Sequence, residues 1–130
     1  MFELTKEFRF EASHVLPFHS GKCARLHGHS WKMSVTFMGQ SLKTAGSETG
    51  MLMDFGLVKK YVQPIVDEVL DHRHLNDSTG LASPTSEELA RWLFRAIRRV
   101  LPSELLAVLW SVRVEETCTS AATYRGGRRG

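Results

Sequence analysis

The stretch His27-Gly28-His29-Ser30-Trp31-Lys32-Met33-Ser34-Val35-Thr36-Phe37 decides the fold. Its odd positions carry His, His, Trp, Met, Val and Phe. Its even positions carry Gly, Ser, Lys, Ser and Thr. An alternation of this length is the period of a strand with one buried face. Successive side chains point to opposite faces, so His27 and His29 share the apolar face and stand at its end.

Towards the N-terminus the same period recurs. Phe2, Leu4, Phe8, Phe10 and Ala12 take one parity; Glu3, Thr5, Glu7, Arg9 and Glu11 take the other, with Lys6 the exception. His14 continues the apolar parity. Residues 17–22 hold Pro, His, Ser and Gly and read as a loop. If the two strands pair antiparallel across it, His14 lies opposite the end that carries His27 and His29.

Towards the C-terminus, residues 39–50 are polar and Gly-rich and read as a long hairpin loop. After Asp54, a plausible N-cap, Leu57, Val58, Tyr61, Val62, Ile65, Val66 and Val69 recur at helical spacing. Pro64 predicts a kink or break there. Residues 71–84 read as a loop. Thr85-Ser86-Glu87-Glu88 has the spacing of a capping box, with Thr85 as cap. Leu89, Trp92, Leu93, Ala96, Ile97 and Val100 form the stripe of a second helix, and Pro102 ends it. A third strand reads Leu106, Val108, Trp110, Val112 and Val114 on one face, and residues 121–125 a short fourth. The order strand, strand, helix, helix, strand, strand predicts an α+β fold: a four-stranded antiparallel sheet with two helices on one face. Its two exposed edges would be covered by edge-to-edge assembly into a ring.

At 130 residues, one domain over residues 1–125 is expected. A basic Gly/Arg tail, residues 126–130, is expected to be disordered. The net charge is +3, and Arg125, Arg128 and Arg129 account for that excess. The remainder is near neutral, which argues against nucleic acid as a partner. Cys23 and Cys118 are too few for a disulfide framework. Cys118 reads as a small buried or edge residue. MFELTKEFRF lacks the pattern of a signal peptide, and no apolar run approaches the ~20 residues that span a bilayer. A cytoplasmic location is expected.

Three histidines that leave a fourth position open make a catalytic zinc arrangement, whereas structural zinc sites usually close with four protein ligands. Cys23, four residues before His27, fits two roles: a fourth ligand, or a free thiol beside Lys22 with thiolate character. Asp71 next to His72 is a pair in which the carboxylate can orient the ring and set its tautomer. Glu116 continues the row of Val112 and Val114. A carboxylate on such a row needs donors, from protein or from a ligand with adjacent N–H groups.

These residues sit in segments that resemble the 6-pyruvoyl-tetrahydropterin synthase and 6-carboxytetrahydropterin synthase superfamily. The segments are FEASH at Phe10 to His14, CARLHGHS at Cys23 to Ser30, and MDF at Met53 to Phe55. LDHRHLND at Leu70 to Asp77, PTSEELA at Pro84 to Ala90 and EETCTSAATY at Glu115 to Tyr124 complete them. The resemblance implies the tunnelling fold, assembled commonly as a hexamer with sites between subunits. It implies zinc on His14, His27 and His29, and Cys23 as a general base assisted by His72 and Asp71. It implies Glu116 as the anchor of a pterin's amidine-like edge, with Thr85 and Ser86 against the ring. Cys-x-x-x-His-Gly-His is similar to the carboxy-forming branch, which acts on 7,8-dihydroneopterin triphosphate in 7-deazaguanine and queuosine synthesis. Arg73 and His74 depart from the His-Tyr more common in that branch, which leaves His72 and His74 both open as the relay; His72 is the one expected. The rivals are the pyruvoyl-forming activity, a zinc hydrolase, and a non-catalytic zinc-stabilised domain.

Overall fold

The computed structural model describes residues 1–116 and 119–126. The Cys23 side chain, Cys118, expected as a small buried or edge residue, and the tail from residue 127, expected to be disordered, lie outside the described residues. The alternating N-terminal segment is a strand, β1 (Phe2–His14), and the histidine-bearing segment is β2 (His27–Gly39). They pair antiparallel, with Phe10 opposite Trp31, Phe8 opposite Met33 and His14 opposite His27. A single 3-10 turn, Lys22–Ala24, lies in the loop between them.

The first long helix, α1 (Phe55–Ile65), starts at Asp54, whose side chain accepts the Gly56 N–H at 2.8 Å. Pro64 is its penultimate residue, and the α-helix ends at Ile65, beside the break expected there. Proline brings no N–H to the helical ladder, and the chain passes beyond it into a wider π turn, Val66–Leu70. That turn closes with the Asp71 N–H donating to Val66 O at 2.8 Å. The second long helix, α3 (Ser86–Val100), is capped by Thr85, whose hydroxyl accepts the Glu88 N–H.

Residues 71–84, read from sequence as a loop, are partly ordered into a two-residue strand, β3 (Arg73–His74), and a short helix, α2 (Leu75–Thr79). β3 lies parallel to β1, so the sheet has five strands in the order β3-β1-β2-β4-β5. A segment this short leaves too little period for a sequence pattern to register. The predicted third strand also starts later. Leu106 belongs to a helical turn, α4 (Ser103–Leu106), and β4 is Leu109–Glu116. A bulge between Thr36 and Phe37 of β2 shifts the pairing with β4 there. It turns Trp110 out of the row, 41% exposed, while Val112 and Val114 stay buried. β5 (Ser120–Arg125) pairs antiparallel with β4.

The long helices cover one face of the sheet. Phe8, Phe10, Trp31, Met33, Val35, Phe37, Val112 and Val114 pack there against Val58, Val62, Leu89, Leu93 and Ile97. The other face is polar, with Lys32 between Glu7 at 3.2 Å and Glu115 at 2.9 Å. Among the described residues, no helix is long and apolar enough to cross a membrane.

Candidate metal and substrate site

The register of β1 with β2 puts His14 across from His27 and Ala12 across from His29. All three imidazoles therefore emerge on the helix-covered face, at the end of the apolar row. Their ring centroids lie 4.4 Å (His14–His27), 5.1 Å (His14–His29) and 4.6 Å (His27–His29) apart. Trp31 walls the group from below, 5.1 Å from the His14 ring and 5.4 Å from that of His29. Its indole N–H donates to Ala12 O at 3.1 Å, which satisfies its polar atom in the core.

Two backbone carbonyls set the tautomers. His14 Nδ1 is 2.8 Å from Pro84 O, and His27 Nδ1 is 2.6 Å from Arg25 O. A carbonyl oxygen only accepts, so both Nδ1 atoms carry the proton and both Nε2 atoms present a lone pair. His14 is fully buried, and its Nε2 has no hydrogen-bond partner among the described residues. Burial, the largest influence, holds the His14 pKa below its ordinary 6.5, and the positive charge that His27 would carry adds to this; the Pro84 hydrogen bond works the other way. Burial likewise lowers the pKa of His29, against the opposing carboxylate of Glu116. For His14 and His29 burial thus favours the neutral imidazole, the state in which histidine ligates metal.

Glu116 stands opposite Trp31 on β4, so its carboxylate enters the cluster from the third strand. Oε1 lies 3.0 Å from His29 Nε2, and Oε2 accepts the Ser86 hydroxyl at 2.9 Å. Ligand atoms of His14, His27, His29 and Glu116 all fall within 4.8 Å of one another, a group that could hold a metal ion. The cap of α3 thus contributes three things in succession: Pro84 O to His14, the Thr85 hydroxyl to the helix, and the Ser86 hydroxyl to Glu116.

Asp71 and His72 are positioned differently. Asp71 Oδ1 accepts the Glu11 N–H at 2.9 Å, and Oδ2 lies 3.0 Å from His72 Nδ1. The Glu11 N–H, and after it the His72 ring, hold the Asp71 pKa below the ordinary carboxylate value. The His72 ring is largely exposed, beside β1 on the edge away from β4, and its backbone adopts φ 58°, a left-handed conformation that costs a non-glycine residue about 1 kcal/mol. His74, the other candidate relay, instead meets the Ser13 hydroxyl at 3.0 Å. An open cavity of about 750 Å³ runs along this edge between Glu11, Ser13, His29, Ser30, His72 and His74. The Lys22–Ala24 turn carries Cys23 in the loop that leads into β2.

Sequence reasoning did not identify the carbonyls of Pro84 and Arg25. Backbone acceptors leave no mark on residue type, so no pattern reveals them.

A family model described as 6-pyruvoyl tetrahydropterin synthase matches residues 3–127. The chain belongs to this family. It is 53% identical over 125 residues to the 6-carboxy-5,6,7,8-tetrahydropterin synthase of Synechocystis, covering 95% of this chain and 93% of that protein. It is 30% identical over 139 residues to the human 6-pyruvoyl tetrahydrobiopterin synthase, covering 95% and 91%. The solved 6-pyruvoyl tetrahydropterin synthase of Caenorhabditis elegans superposes with a TM-score of 0.81 at 26% identity, over 97% of this chain and 96% of that one. The tunnelling fold expected from the sequence is therefore borne out, with one more strand than predicted. As a member of this family the chain is an enzyme, a pterin lyase.

Proposed function

We propose that the chain is a zinc-dependent lyase in the cytoplasm. It converts 7,8-dihydroneopterin triphosphate and water into 6-carboxy-5,6,7,8-tetrahydropterin, acetaldehyde and triphosphate, a step of 7-deazaguanine and queuosine synthesis. The observation that carries this reading is the convergence of His14, His27 and His29 beside Glu116. The high identity to a relative named for that product supports the branch, as does the Cys-x-x-x-His-Gly-His spacing.

The donor set fits zinc: three imidazoles, two of them fixed through Nδ1, with a buried Nε2 on His14 that finds no hydrogen bond among the described residues. When bound there, zinc would act as a Lewis acid towards the two side-chain hydroxyls of the substrate. Glu116, steadied by the Ser86 hydroxyl, would accept the paired N–H groups of the pterin's amidine-like edge. Thr85 and Ser86, at the start of α3, would lie against the ring. Cys23 would remove a side-chain proton as thiolate. His72 would shuttle protons, its ring held through Nδ1 by Asp71 so that Nε2 faces outward. Asp71 and His72 stand at the β1 edge while Glu116 is on β4, so a neighbouring copy would complete each site in a homo-oligomeric ring, as a hexamer.

The pyruvoyl-forming reaction on the same substrate is the second reading, favoured by the human relative. Product analysis separates them. The carboxy reading expects acetaldehyde equal to triphosphate released; triphosphate released with a pyruvoyl pterin and no acetaldehyde would overturn it. Cys23→Ala tests the role of the thiol: turnover should fall by more than about a hundredfold with zinc retained. Loss of zinc from that variant would instead make Cys23 a ligand.

A further inference from the structure

Residues 71–76 grip the outer edge of β1 at every second residue. The His72 N–H donates to Glu11 O at 2.6 Å, and Asp71 Oδ1 accepts the Glu11 N–H. The Ser13 hydroxyl then meets His74 Nδ1 at 3.0 Å. There β3 ends and α2 begins, so the backbone of residue 76 is helical and no longer a strand partner. The Asn76 side chain takes over. Its Oδ1 accepts the Val15 N–H at 2.9 Å, and its Nδ2 donates to Val15 O at 2.8 Å. A carboxamide carries the donor and acceptor of a peptide group, so it extends the ladder one step further. Nδ2 also donates to Ala82 O at 3.2 Å, in the loop that leads to Pro84. Asn76 therefore binds the backbone directly after His14 and the loop whose carbonyl orients the His14 ring.

We propose that Asn76 is a positioning residue of the metal site: it fixes both the backbone of His14 and the Pro84 carbonyl that aims its Nε2. The inference rests on the reading of His14 as a metal ligand. Aspartate is nearly isosteric with Asn76 and keeps the acceptor for Val15 N–H. It offers no hydrogen to Val15 O or Ala82 O and sets a carboxylate against both carbonyls.

The test is the affinity of chelator-treated protein for Zn2+ and Co2+, measured by competition with a chromophoric chelator, together with the visible Co2+ spectrum. Asn76→Ala and Asn76→Asp should bind 10–100-fold more weakly with a changed spectrum, while metal-free circular dichroism stays that of the unaltered chain. Val62→Ala, in the core of α1, should lower the melting temperature and leave affinity unchanged. The proposal is overturned if both Asn76 variants bind within about threefold of the unaltered chain, or if Val62→Ala weakens binding as much. Misfolding of both Asn76 variants would also overturn it, since the role would then be to build the fold. His14→Ala separates the two readings. If His14→Ala keeps full affinity, the metal-site reading fails; if it loses affinity while the Asn76 variants do not, this inference alone fails.

Discussion

Two hydrogen bonds from imidazole Nδ1 to main-chain oxygen govern what His14 and His27 can do. They fix each ring with the proton on Nδ1 and the lone pair on Nε2, the tautomer that a metal ligand would need. Burial reinforces this for His14 and His29 by lowering their pKa values from the ordinary 6.5. That shift has a consequence for the metal-free protein. Below pH 6.5 the unfolded chain takes up protons that folded His14 and His29 refuse. The unfolded state is then favoured progressively, so stability falls as pH drops from about 6.5 towards the lowered folded values. Chelator-treated protein should show a lower urea midpoint at about pH 5.5 than at about pH 7.5, and His14→Gln should flatten that difference. An unchanged slope in His14→Gln would refute the assignment. The parity of His14, His27 and His29 was plain in the sequence, and so was the position of Glu116 on a buried row. The carbonyls of Pro84 and Arg25 were not, since they come from chain path and not from side-chain type.

Elements that carry a long period were legible, and those that carry a short one were not. β1 and β2 each alternate over 13 residues, and α3 carries both a cap and an apolar stripe. By contrast, β3 has two residues and borrows its existence from the edge of β1. α4 displaced the start of β4 because Pro102 and Ser103 begin a helical turn just before the strand. Trp110 fell out of the inward row because a bulge adds a residue there, and alternation alone cannot see a bulge. The caps make separate predictions. Asp54→Ala removes the acceptor for the Gly56 N–H and should cost about 1 kcal/mol in chemical denaturation, with metal affinity unchanged. Leu93→Ala, fully buried on α3, should cost about 2–5 kcal/mol and bring a matching fall in melting temperature.

At the scale of the whole molecule, the sheet leaves two edges. β3 covers only Ala12 and Ser13 of β1, and β5 ends the other side of the sheet. Rows of unsatisfied N–H and C=O groups on such edges are templates for another copy. A ring assembly of the kind proposed above would let Cys23 of one copy and His72 of the next serve one site. Mixing the inactive variants Cys23→Ala and His72→Ala under subunit exchange should then restore roughly a quarter of full activity, because that share of sites draws both intact residues. No recovery would mean that both residues act within one chain. Zinc titration is the most direct test of the central claim that His14, His27 and His29 hold the metal on which turnover depends. Chelator-treated protein is titrated with Zn2+ while acetaldehyde release from 7,8-dihydroneopterin triphosphate is followed. Activity should rise from near zero and saturate at one zinc per chain, and His27→Ala should neither bind that equivalent nor turn over. Full turnover without metal, or an undiminished zinc equivalent in His27→Ala, would contradict it.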